Sequence, residues 1–166
     1  MKFLFMGLIV VVAIVVLAAL AKTRGGRLGT NLYRREEKLF SAAELRFLAA
    51  LDQAIAPGQR VFGKVRVADL VAIKPGLDPR TRQAAVNRVA HKHFDFLVCT
   101  GPSLTPMCAV ELNDSSHNSD TARRRDELLS DVCAQVGLPL LVVKAAGSYD
   151  PHAIRQQLSS IAQPKA

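Results

Sequence analysis

Apolar and polar positions along the chain change period several times, and each change marks an element. From Phe3 to Ala21 there is no charge and almost nothing polar. At 1.5 Å per residue that run is about 28 Å long, the thickness of a bilayer core. Further on, Ser41-Ala42-Ala43-Glu44 reads as a capping box. Leu45, Leu48, Leu51 and Ile55 follow at helical spacing, giving a helix to about Ala54 that stops near Pro57-Gly58. Arg60 to Val71 alternates, with Val61, Gly63, Val65 and Val67 set against Phe62, Lys64 and Arg66, which predicts a half-buried strand. Asp78-Pro79 opens a second helix, with Asp as N-cap and Pro at the first position. Ala85, Val86 and Val89 give this helix an apolar face. Gln83 and Asn87, four apart, share another and read as ordinary exposed polar residues.

His93 to His117 holds two apolar strands around a Gly/Pro loop, the pattern of an antiparallel hairpin. A helix from Asp120 to Val136 follows, striped by Leu128, Leu129, Val132 and Val136 and closed by Gly137. Leu138 to Val143 is nearly all apolar, which predicts a strand buried on both faces. Asp150-Pro151 starts a last helix carrying Ile154, Leu158 and Ile161. The expected order is an anchor and then αβαββαβα. The expected layout is an anchor over 1–22, a basic connector over 23–40 and one domain over 41–162.

Charge sets the orientation of the anchor. Lys2 precedes the apolar run, whereas Lys22, Arg24, Arg27, Arg34 and Arg35 follow it, so the positive-inside rule leaves the C-terminal domain in the cytoplasm. Ala19-Leu20-Ala21 offers a signal-peptidase site as the competing reading. The apolar run, however, exceeds the usual h-region of about 7–15 residues. The basic connector reads as a juxtamembrane segment touching anionic lipid, ahead of a dedicated nucleic-acid arm. The formal charge of +8 continues into the domain, which is compatible with a polyanionic partner. Cys99, Cys108 and Cys133 sit in apolar contexts and match no zinc spacing, so buried reduced thiols are expected.

Two acids interrupt the apolar hairpin. Asp95 lies between Phe94 and Phe96, and Glu111 between Val110 and Leu112. Antiparallel pairing predicts both carboxylates on one sheet face, within about 4–6 Å of each other, where two negative charges repel unless a cation intervenes. A hard divalent ion such as Mg²⁺ suits that arrangement. His117 lies just past the strand end, within reach of the same place. The competing expectation is that the acids pair with Lys92, Arg124 or Lys64 on a solvated face. Arg123 to Arg125 read as an exposed helix face, with Arg124 supported by Asp120 four residues earlier.

Lys92-His93-Phe94-Asp95-Phe96, then Val110-Glu111-Leu112-Asn113-Asp114-Ser115-Ser116-His117, an Arg-Arg-Arg-Asp-Glu-Leu-Leu helix and Gly-Leu-Pro-Leu-Leu resemble the PD-(D/E)XK nuclease-like superfamily. The nearest branch is that of the very-short-patch mismatch-repair endonucleases. More narrowly, the chain resembles an uncharacterised, often membrane-anchored bacterial family of that clan, over roughly Ser41 to Ile161. The resemblance implies an α/β, restriction-endonuclease-like mixed sheet flanked by helices and preceded by one N-terminal transmembrane helix. It implies Asp95 and Glu111 as ligands of Mg²⁺ or Mn²⁺, and His117 as base or ligand. Asn113 stands where the superfamily often has Lys and this branch often has Asp, and a neutral amide cannot act as a general base. The implied chemistry is hydrolysis of DNA or RNA phosphodiesters, with Lys64, Lys92 and Arg124 as candidate contacts to the nucleic acid. Beside an active nuclease stand a degenerate fold that binds without cutting and a membrane-tethered module for a protein or lipid partner. The expected location is the bacterial inner membrane, single-pass, with the domain cytoplasmic.

Overall fold

A computed structural model describes residues 14–15, 32–113 and 120–162. The expected anchor and His117 fall outside these residues, apart from Ile14 and Val15, which are helical. No helix among the described residues is long and apolar enough to cross a membrane. The chain divides into two units, residues 1–39 and 40–166. The second is a mixed α/β unit.

Helix α1 (Ala42–Ala54) begins at the capping box. Ser41 Oγ accepts from Glu44 N–H, and Glu44 Oε2 accepts from Ser41 N–H at 2.7 Å. Its buried residues are Phe47, Ala50, Leu51 and Ala54. That stripe is rotated from the expected Leu45/Leu48/Leu51 line, and Leu45 is half exposed. The cause is Phe47, whose ring packs on Phe96 and Tyr149, with centroids 5.6 and 5.1 Å away. Strand β1 (Gln59–Arg66) follows. It ends five residues before the expected Val71, because the chain turns into a short helix, α2 (Val67–Leu70), that buries Val67 completely. Alternation alone could not register that turn, since Val67 is buried either way.

Helix α3 (Pro79–Val89) has the expected Asp78 cap, whose carboxylate accepts from the N–H groups of Arg80 and Thr81. Strands β2 (His93–Thr100) and β3 (Thr105–Asn113) form the hairpin. Gly101 and Leu104 make its turn, both with positive φ. Helix α4 (Asp120–Val136), strand β4 (Leu140–Lys144) and helix α5 (Pro151–Ala162) complete the chain. The sheet runs β1-β2-β3-β4, with the first two pairings antiparallel and β3–β4 parallel. Strand β4 is not buried on both faces as expected: Leu141 is buried, whereas Val142, on the opposite face, is 53 % exposed.

Helices cover both faces of the sheet. On one, α1 and α5 pack with Phe96, Val98, Cys108 and Val110. Arg155 of α5 locks this layer by donating to the carbonyls of Gln53 and Ala54 at the end of α1. On the other, Val67, Val89, Leu129 and Cys133 pack with Phe94, Leu97 and Ala109. Phe94 and Phe96 therefore enter different cores, although strict alternation puts them on one face. The break falls at Asp95. Opposite it, Lys64 takes left-handed backbone (φ 55°), between the Gly63–Phe96 and Val65–Phe94 pairs. All three cysteines are buried and free, as expected. Burial pushes the thiols of Cys108 and Cys133 up to about 11.

Candidate acid pair at a strand fork

The β2–β3 ladder stops at Phe96–Val110, one pair short of Asp95–Glu111. Beyond it the strands part, while β3 stays paired with β4 as far as Asn113–Lys144. Strand groups left unpaired inside a core need partners, and the two carboxylates provide them. Asp95 N–H donates to Glu111 Oε1 at 3.3 Å, and Leu112 N–H donates to Asp95 Oδ2 at 3.0 Å. Each acid thus ties its side chain to the backbone of the other strand. Asp95 and Glu111 are the buried charged residues among those described, 6 % and 5 % exposed.

The remaining oxygens face opposite layers. Asp95 Oδ1 lies 3.6 Å from the Lys64 ammonium, which also pairs with Glu44 of α1. Lys64 further lies over the ring of Phe40, 5.9 Å from its centroid. Glu111 Oε2 is bound by Arg125 of α4 at 2.6 Å. Next to that pair, Asn113 Nδ2 donates to Asp126 Oδ2 at 3.0 Å. A line of charge, Glu44–Lys64–Asp95 and then Glu111–Arg125, therefore passes through the sheet at the fork.

Burial is the main force on the Glu111 carboxyl, and the Asp95 charge adds to it. Together they push it up to about 8, against the opposing pull of Arg125 and the Asp95 N–H. Glu44 moves the other way. Its hydrogen bonds to Lys64 and Ser41 outweigh its desolvation and hold it below the usual carboxylate range.

The structure brings Asp95, Glu111 and Lys64 together, with Asn113 beside Glu111's partner helix. Lys64 faces two carboxylates. Lys92 is half-buried in the turn before β2, where its carbonyl accepts from Val67 N–H. Arg124 is exposed on α4, and Asp120 pairs with Arg123, not with Arg124 as expected. Asp114 and His117 lie outside the described residues. The sequence reading missed Arg125, Asp126 and the second role of Glu44. Arg125 precedes Leu129 by four and Cys133 by eight, so it lies on the buried stripe of α4, and that spacing was its available signal.

As a class, this is an α/β domain with a four-stranded mixed sheet and a buried acid pair where two strands part. The chain belongs to the family described as "Protein of unknown function (DUF2726)", whose model matches residues 36–161. No curated protein and no solved structure matches it.

Proposed function

We propose that the domain is a metal-dependent phosphodiesterase of the PD-(D/E)XK clan, acting on nucleic acid and held at the cytoplasmic face of the inner membrane by the Phe3–Ala21 segment. The buried acid pair carries this reading. Two neighbouring carboxylates inside a core cost more than apolar residues of the same size. Buried carboxyls with shifted titration, as at Glu111, concentrate at functional sites.

The donor set suits Mg²⁺ or Mn²⁺. Mg²⁺ is commonly held by one or two carboxylates, with water and substrate phosphate completing its shell. Among the described residues no group of three or more acid, His or Cys side chains is placed to hold a metal, so a closed protein cage is not on offer. Asp95 and Glu111 would hold the ion, which would supply Lewis-acid polarisation of a phosphate and an activated water. Lys64 and Arg125, each paired with one of the acids, would neutralise charge developing on a phosphate held there.

A second reading has its own support. Both acids already have cationic partners, and Asn113 is bound to Asp126 and is no base. These features favour a degenerate fold that binds nucleic acid without cutting.

The deciding experiment titrates the full chain with Mn²⁺ and Mg²⁺ and assays mixed DNA and RNA for cleavage, beside Glu111→Ala and Asp95→Asn. Metal binding and cleavage that both variants lose support the nuclease. Metal binding left unchanged by Glu111→Ala sinks it, and salt-dependent nucleic-acid binding without metal uptake leaves the degenerate reading standing.

A further inference from the structure

Between α3, the end of α4 and the loop that joins α2 to α3 lies an open groove of about 290 Å³. It is separate from the acid pair. Val132 and Val136, which line it, follow Arg125 on the same helix by about 10–16 Å at 1.5 Å per residue. The two helices present matching faces to it. Ala85, Arg88 and Val89 stand at i, i+3 and i+4 on α3, and Val132, Gln135 and Val136 at the same spacings on α4. Val89 is buried and Val132 half-buried, and both belong to the core beneath, so packing fixes the floor. The loop supplies the third wall through Val71, Ile73 and Leu77. Leu77 and Val136 are 41 % and 47 % exposed. Apolar side chains left in water along a concave site are a surface that a ligand with an apolar body would cover.

The lining narrows the chemistry of that ligand. Its apolar residues are all aliphatic, and among the described residues no aromatic ring lines the groove, so a planar ring finds no stacking surface. Lys74 of the loop and Arg88 of α3 are its charged residues, and among the described residues no carboxylate lines it. Asp78, next to Leu77, has its carboxylate engaged by the N–H groups of Arg80 and Thr81. Arg88 reaches Asp131 of α4 at 3.2 Å, but both side chains are at least half exposed. Such an exposed pair contributes little, so an incoming anion can take Arg88 over. An aliphatic body with one negative head therefore matches the groove. Size limits the body, because about 290 Å³ lies at the small end of ligand sites, which run from about 300 to 1,000 Å³. Transfer free energy decides the source. The chains of a bilayer lipid already lie in hydrocarbon and gain nothing by moving, whereas a monomeric acid leaves water.

We propose that this groove binds a single-chain aliphatic acid of medium length taken up from solution, with its chain against Val71, Val89, Val132 and Val136 and its carboxylate on Lys74 and Arg88. The site goes beyond the proposed phosphodiesterase and shares no residue with it, so either can stand without the other.

The test uses the full chain in phosphatidylcholine nanodiscs, because detergent would compete for the groove, and empty nanodiscs are measured in parallel. Equilibrium dialysis with decanoate, hexanoate and decanol separates the head from the chain. Decanoate should bind saturably, one per chain, and at least about fivefold more tightly than decanol. It should also bind at least about tenfold more tightly than hexanoate, since each fully buried methylene is worth about fourfold. Lys74→Ala should weaken decanoate binding about threefold or more and leave decanol unchanged. Asp131→Asn, which frees Arg88, should tighten decanoate binding and leave decanol unchanged. Leu77→Gln with Val136→Gln should weaken both ligands. All four positions are exposed, so the unfolding midpoint should stay near that of the unmodified chain. A diazirine at the chain end locates the ligand. Photoreactive decanoate should label the peptide around Val132–Val136, and phosphatidylcholine carrying the same diazirine should not. Uptake no greater than that of empty nanodiscs overturns the proposal, as does decanol bound as tightly as decanoate. Decanoate binding that both Lys74→Ala and Asp131→Asn leave unchanged also overturns it, and labelling by the phospholipid alone gives the groove to the bilayer instead.

Discussion

Glu111 concentrates the electrostatics of the domain in one side chain. Its carboxyl, pushed up to about 8 by burial and by Asp95, holds a proton more tightly in the folded protein than in the unfolded chain. The sign follows from linkage. Between about pH 4.5 and 8 the folded state binds more protons than the unfolded state, so this group's contribution to stability falls as pH rises, by roughly 1.4 kcal/mol per pH unit while the difference is complete. Glu111→Gln removes the titration and keeps the shape. Chemical denaturation of the full chain in EDTA, from about pH 5 to 8, should show a flatter pH dependence for the variant. Equal slopes would mean that Glu111 ionises in the fold as it does in water. Asp95 and Glu111 were legible from sequence because each is a lone acid inside an apolar strand. Arg125 was not, because it stands in a run of three arginines and only its spacing from Leu129 and Cys133 separates it from the other two.

At the scale of elements, capped and strongly periodic segments were legible. The Ser41 and Asp78 caps, the hairpin, α4 and α5 follow their sequence patterns, except that Val136, expected on the α4 stripe, is 47 % exposed. The four-residue α2 was not legible, since four residues carry no period, and neither was the strand fork, since ladder length depends on partners far along the chain. Glu44 links the two kinds of information: a local cap that also binds Lys64 across twenty positions. Ser41→Ala should cost about 1 kcal/mol through the cap alone. Glu44→Ala should cost more, and a double-mutant cycle with Lys64→Met should give a coupling of at least about 0.5 kcal/mol, because the pair is largely shielded from solvent. A coupling near zero would make Glu44 a capping residue and nothing else. Gly63 serves the same corner, since a Cβ there would run into the ring of Phe40, which stacks on Phe96.

For the whole molecule the decisive quantity is where the charge of +8 sits relative to the apolar run. Lys22, Arg24, Arg27, Arg34 and Arg35 all follow Ala21 within a short stretch of chain. Basic residues within about 15–20 positions of a span resist translocation, whereas acidic ones contribute little. The domain that follows is therefore expected in the cytoplasm, where nucleic acid is available to a basic surface and where Cys99, Cys108 and Cys133 stay reduced. A reporter active only in the cytoplasm, fused after Ala166, should give signal in a bacterial host. The membrane fraction should retain the protein after alkaline carbonate washing. Replacing Lys22, Arg24 and Arg27 with Ser, and placing three Lys beside Lys2, should move part of the population to the opposite orientation. Signal from a periplasmic reporter alone, or a mature chain beginning at Lys22, would remove the anchor and with it the proposed access of the acid pair to cytoplasmic nucleic acid.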